Sequence, residues 1–231
     1  GMKIDLLCVG LLTIALAIGG CSPDAAAPPT DLVVTSGAAP TSQQECLLAG
    51  AEVYEGLTER AFAEPLAKLA SDAREAEIVA RGCERFLNPE QIASLHQAFE
   101  SIDRAQTPSA YALAAIEGYR VLVSAQARGA SIVPMEVSLL DYAGFRYQAG
   151  ASSTPPLWDD MRQAATIADL HWASIAPSIS DLTLKDRFAR EVAALHAAIP
   201  VRDVAASRRA ATDELDDVDR LEQYFSSRTH L

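Results

Sequence analysis

From Thr41 onward the chain is punctuated by helix starts and stops, and such a sequence permits little besides a fold of many short helices. Ser42-Gln43-Gln44-Glu45 has the form of a capping box ahead of Cys46-Leu47-Leu48. Asn88-Pro89-Glu90-Gln91 repeats the device, with proline at the first helical position, where its missing N–H costs nothing. Between them a helix is expected over about Thr58 to Arg85, with Pro65 in its first turns or at a kink. The helix opened by Asn88 should end near Gln106. Thr107-Pro108 then starts one through Arg128, capped by Gly129. Pro134 leads into Met135 to Gln148, closed by Gly150, and Thr154-Pro155-Pro156 starts a helix to about Ala176, stopped by Pro177. Asp181 to Ile199 follows, and Pro200 separates it from a last helix over Val201 to about Ser226.

Apolar spacing supports these assignments. Leu113, Ile116, Tyr119 and Val123 recur every three to four residues, as do Phe188, Val192, Leu195 and Ile199. Met161, Ala164, Ala168, Trp172 and Ile175 form a near-heptad stripe, with Trp158 just ahead of it. Alanine occupies 43 positions, which lets helix axes approach closely, while runs of β-branched residues are scarce. The expectation is an all-α fold, an antiparallel helical bundle of about eight helices in a single helical domain over 41–231. The charge of −12 excludes a binder of nucleic-acid backbone, which needs a basic face.

The N-terminus carries an address. Leu6 to Ile18 is an apolar run too short to span a bilayer, so residues 1–20 are expected to be a signal peptide. The run ends in Ile18-Gly19-Gly20-Cys21, an aliphatic residue, two small residues and a cysteine. This segment resembles the lipobox of bacterial lipoproteins. The resemblance implies cleavage before Cys21, a diacylglycerol on its thiol and a further acyl chain (palmitate or similar) on its new amino group. Several chains make a stable membrane anchor where one would not. The alternative on the residues alone is an ordinary cleaved leader. In many lipoproteins an aspartate after the cysteine signals inner-membrane retention; Ser22 in that place favours the periplasmic side of the outer membrane. Residues 21–40, rich in proline, alanine and glycine, are expected to be a flexible tether.

Cysteine usage agrees with an exported chain. Cys8 leaves with the leader and Cys21 carries lipid, so Cys46 and Cys83 remain as an even pair in an oxidising compartment. Their disulfide would close a loop of about 38 residues, worth about 4 kcal/mol on the chain-entropy model. Two buried free thiols are the alternative.

Candidates for chemistry are few. The densest polar group on apolar helices is Glu117 and Arg120, three apart, followed by Glu136, Asp141 and Arg146 on the next predicted helix. These five either line a ligand pocket or form structural ion pairs, because an unpaired buried charge is costly. At least one arginine is expected to pair with a carboxylate across the interface of these two helices. His96 and Glu100, four apart, are the candidate metal ligands, but a closed site needs three or four. His171 and His196 read as packing histidines. Asp213-Glu214, Asp216-Asp217 and Asp219 read as a solvated helix face. No GxSxG or SxxK nucleophile motif is present, and aromatics at 6% are too sparse for a sugar-binding cleft. No catalytic residue and no cofactor is assigned. The functional expectation is a lipid-anchored, non-enzymatic envelope module that binds a protein or small ligand. The alternatives are a metal-binding or metal-sensing bundle, or an enzyme whose site is assembled from distant helices.

Overall fold

The computed structural model describes residues 42–228; the segments expected to be a signal peptide (1–20) and a tether (21–40), with Cys21, lie outside the described residues. Within them the chain is all-α. The order is α1 (Gln43–Ala63), α2 (Leu66–Gly82), α3 (Pro89–Arg104), α4 (Pro108–Ser124), α5 (Met135–Ser152), α6 (Trp158–Ile175), α7 (Leu182–Ala198) and α8 (Val204–Ser227). Both expected capping boxes form: Ser42 with Glu45 and Asn88 with Gln91. Thr107 and Asp181 cap α4 and α7.

Several boundaries differ from the sequence expectation. The helix expected over Thr58 to Arg85 is two: α1 runs through Thr58 to Ala63, and the chain breaks at Glu64-Pro65. Proline disfavours α geometry in the residue before it, and Glu64 is extended, with φ −130° and ψ 153°. Gly129 has a positive φ of 74°, but α4 has already ended at Ser124, so the glycine serves a loop turn. Gly150 does not stop α5, which continues to Ser152. The last helix starts at Val204 under an Asp203 cap, three residues after the expected Val201.

The helices pack antiparallel. Leu122 of α4 lies beside Gly50 of α1, and Gly118 beside Tyr54, so the sequence numbers run in opposite directions. A Cβ at Gly118 would lie 2.9 Å from the Tyr54 ring, and this close approach explains the glycine in a buried helix. The disulfide joins Cys46 of α1 to Cys83 just past α2, with Cα atoms 5.8 Å apart, as the cysteine arithmetic expected. The core falls into two clusters. One gathers α1 to α4 around Leu47, Tyr54, Leu57, Leu95 and Ile116. The other gathers α6 to α8 around Met161, Phe188, Leu195 and Leu221.

Helix α5 belongs to both. It sends Tyr142, Phe145 and Ala149 into the first cluster and Val137, Leu140 and Tyr147 into the second. Being covered on most sides, it has no clean polar face. Polar residues on such a helix must find partners or face a groove. No described helix is long and apolar enough to cross a membrane.

Candidate functional site

The five polar residues singled out on α4 and α5 do not converge. They divide between two opposite flanks of α5 and its N-terminal end.

On the α4/α6 flank, charges are paired. Arg120 Nε donates to Glu117 at 2.8 Å, and the Tyr142 hydroxyl donates to the other Glu117 oxygen at 2.5 Å. Arg146 binds Asp160 of α6 through Nε and Nη2, and also donates to Tyr142 at 3.2 Å and Gln163 at 3.0 Å. Both guanidinium groups lie 6.0 Å from the Tyr142 ring centre. Tyr142 therefore links α4 to α5 in place of a direct ion pair. The expected arginine–carboxylate pair across the α4–α5 interface does not form, because Arg120 turns back along its own helix and Arg146 turns to α6. A cavity of about 590 Å³ opens beside this network, lined by Glu117, Arg146, Asp160, Leu113 and Trp158. Its central charges cancel one another. Glu136 lies apart, and its one ion-pair partner among the described residues is exposed Arg128 at 3.7 Å.

The α1/α8 flank is the reverse. Asp141 follows α5 into a groove of about 290 Å³ between α1 and α8. Glu55 and Glu59 form one wall, Asp216 and Asp219 the other, and Phe62, Phe145 and Leu215 supply apolar surface. Asp141 is 6% exposed, and among the described residues it has neither a hydrogen bond nor an ion pair. No lysine or arginine lines this groove. Burial, with Glu55 and then Glu214 adding repulsion, pushes the Asp141 carboxyl well above its usual range. Glu55 is pushed up to about 7, by burial first and then by Glu222, Glu59 and Asp219.

Beside the groove, α8 buries two more acids that the sequence reading placed in solvent. Glu214 is 0% exposed with both carboxylate oxygens unpartnered, and Asp217 is 1% exposed. Asp217 pairs with Arg220 at 2.5 Å and Arg187 at 3.0 Å. Glu214 has no such compensation; burial, then Asp217 and Glu191, push its carboxyl well up. The Glu214 carboxylate occupies the space that a side chain at Gly144 would need. The correction has a visible cause. Ala210, Glu214, Asp217/Val218, Leu221 and Phe225 share one three-to-four stripe, so the two acids ride on the apolar face of α8.

The other candidates have separate partners. His96 Nε2 contacts Glu84 at 2.7 Å and Arg81 at 3.1 Å, while Glu100 binds Arg104, so His96 and Glu100 are not brought together as ligands. His196 contacts Asp169 at 2.6 Å across α6 and α7. Burial lowers the pKa of His171. Among the described residues, no three His, Cys, Asp or Glu side chains are grouped as a metal ion requires. The groove acids Glu55 and Glu59 were not singled out in the sequence, and Asp216 and Asp219 were read there as part of a solvated helix face. Their signal was present as acidic stripes, Glu52/Glu55/Glu59 on α1 and Asp216/Asp219/Glu222 on α8. That α5 brings the two stripes together is a tertiary fact. A scan against protein-family models, a search of curated proteins and a search of solved structures each found no match to this chain.

Proposed function

We propose that this protein is a non-enzymatic binding module of the bacterial envelope, anchored through lipid on Cys21, that holds an amine-bearing cation in the α1/α5/α8 groove. One observation carries the ligand reading: Asp141 is almost wholly buried, has no partner among the described residues, and lines a groove with four further carboxylates and no cation. Burying an acid without a partner is costly unless something compensates it. A ligand ammonium would do so. The apolar surface of Phe62 and Phe145 suits an organic stem and the ring faces attract a cation, so an alkylammonium fits better than a bare metal ion. The Ile18–Cys21 motif supports the address, and a disulfide between Cys46 and Cys83 is compatible with export.

Isothermal titration of the purified mature chain with hexylamine at pH 8 tests the site. The expected result is saturable binding that weakens at least tenfold in Asp141→Asn, about 1.4 kcal/mol. Binding should also weaken as pH falls toward 5.5, because Asp141 and Glu55 must give up protons to receive the cation. No saturable binding by the native protein removes the reading. The anchor is tested separately in a bacterial host. A fatty-acid probe should label the wild type and not Cys21→Ala; equal labelling rejects it.

A further inference from the structure

The carboxylates of the acidic groove lie at two heights. Phe62, Gln148 and Thr212 also border a neighbouring recess, which marks them as one end of the groove. From that end each helix takes two steps of three or four residues: Glu59 then Glu55 on α1, Phe145 then Asp141 on α5, Asp216 then Asp219 on α8. The far height is therefore a cup of three carboxylates from three helices, Glu55, Asp141 and Asp219. In keeping with this order, the charges that act on Asp141 most strongly include Glu55 and Asp219 but neither Glu59 nor Asp216. At the middle height Glu59 and Asp216 form the walls, and Phe145 takes the place that Asp141 holds in the cup. The near height carries no charge.

We infer that the ligand is a short linear diamine, with one ammonium in the far cup and the other between Glu59 and Asp216 over Phe145. This rests on the reading of the groove as an amine site, which the buried and unpartnered Asp141 anchors. A single ammonium would offset one of five carboxylates and leave the middle height unmatched. In the cup, the three N–H donors of a primary ammonium match carboxylates arriving from three helices. At the middle height the second ammonium meets two carboxylates and the face of an aromatic ring. The helices set the length. The two heights are four residues apart on α1 and three on α8, which is about 6 Å and about 4.5 Å along the axes. Side chains lean toward the N-terminus of their own helix, and this shifts both heights of a helix equally, so the spacing survives. Three or four methylenes hold two amine nitrogens about 5–6 Å apart when extended. A longer diamine would carry its second charge past Glu59 and Asp216 to Phe62, Gln148 and Thr212, where no carboxylate receives it.

A ladder of terminal diamines with three, four, six and eight methylenes tests this. Each is titrated calorimetrically into the purified mature chain at pH 8, beside butylamine, in about 0.1 M salt to screen general attraction. The expected result is an optimum at three or four methylenes, where the diamine binds about tenfold tighter than butylamine, with the gain falling away at six and eight. Glu59→Gln combined with Asp216→Asn should abolish the length optimum and most of the gain over butylamine, whereas Asp141→Asn should weaken diamine and monoamine together. Glu59 and Asp216 are both exposed, so helicity by circular dichroism should be unaltered in the double variant. If butylamine binds and no diamine binds tighter, the site takes one ammonium and the diamine inference fails while the amine site stands. If every diamine gains alike whatever its length, or if the double variant keeps the optimum, the middle height is not a second ammonium site and the inference fails in the same way. If neither butylamine nor any diamine binds, both readings fail.

Discussion

Asp141 and Tyr142 are neighbours in sequence and opposites in environment. Tyr142 faces α4 and α6, where Glu117, Arg120, Arg146 and Asp160 satisfy one another around its ring and hydroxyl. Asp141 faces α1 and α8, where the charged groups that act on it most strongly are other carboxylates. The same helix, with about 100° of turn between the two residues, thus carries a closed ionic network on one side and an open, uncompensated charge cluster on the other. The lesson is that polarity on a buried helix has two meanings. Charges that cancel locally hold helices together. Charges left unmatched cost stability, and a protein retains them at no structural advantage unless a partner arrives.

The largest expected effect lies on the paired flank. Arg146→Ala removes the cation that serves Asp160, Tyr142 and Gln163 at once, and the Arg146 side chain is only 16% exposed. Leaving Asp160 uncompensated should cost about 3 kcal/mol in urea unfolding. A loss below about 1 kcal/mol would erase the distinction between the two flanks. The unpaired flank should respond with the opposite sign. Glu214→Met replaces a fully buried, unpartnered carboxyl with an apolar chain of similar length. The expected change is a gain of about 2 kcal/mol, and a destabilised variant would mean that Glu214 has a partner of its own.

A pH series separates the flanks without mutation. Glu55, Asp141 and Glu214 all have raised pKa values in the folded protein. The folded chain therefore holds protons that the unfolded chain releases, so stability falls as pH rises above the ordinary carboxyl value of 4.5. For Glu55 the loss extends through about pH 7, and Asp141 and Glu214 add to it in the same direction. Unfolding free energy should drop by at least about 2 kcal/mol between pH 5 and pH 8, with a shallower slope in Asp141→Asn. Glu64 works in the other direction: its hydrogen bond with Arg60 lowers its pKa, so its contribution is lost only below the ordinary range. A flat or rising profile from pH 5 to 8 contradicts the unpaired assignment. The smallest effect is expected at Arg120. Its side chain is 36% exposed and bonds one turn back on its own helix, so Arg120→Ala should change thermal stability by about 0.5 kcal/mol or less. A loss of several kcal/mol would mean that Arg120 holds the network as firmly as Arg146 does.

Much of the fold was legible before the structure. Ser42 and Asn88 were identified as caps and Thr107 and Asp181 as helix starts, and each accepts the backbone hydrogen bond that a cap requires. Of the stripe Leu113–Val123, Ile116, Tyr119 and Val123 are buried and Leu113 is half-buried, and the stripe Phe188–Ile199 is buried as its spacing implied. Cys46 and Cys83 are joined. These features follow from local rules: a cap reads three residues ahead, and a helix face repeats every three to four. The errors came where two local rules compete. Pro65 is compatible with a kink, a first turn or a break, and the decision fell to the extended Glu64 before it. Gly150 resembles a stop, yet α5 passes through it, with Met161 packed so close that a Cβ would lie 2.8 Å from its Cγ.

The site was less legible for a physical reason. By itself the sequence determined that charges would occur on apolar helices, and that Glu117 and Arg120 would share a face. Which charges cancel is a matter of distances between helices, and these depend on how α5 is rotated between two cores. That rotation turns Arg146 to Asp160 on α6 and leaves Asp141 facing Glu55 and Asp219. It also buries Glu214, because the same face of α8 carries Leu221 and Phe225 into the second core and the acid goes with them. Hydrophobic burial is strong and non-directional, so it fixes each helix face from the sequence pattern alone. Electrostatic compensation depends on separations of a few ångströms between chain segments far apart in sequence, and only the tertiary structure decides it.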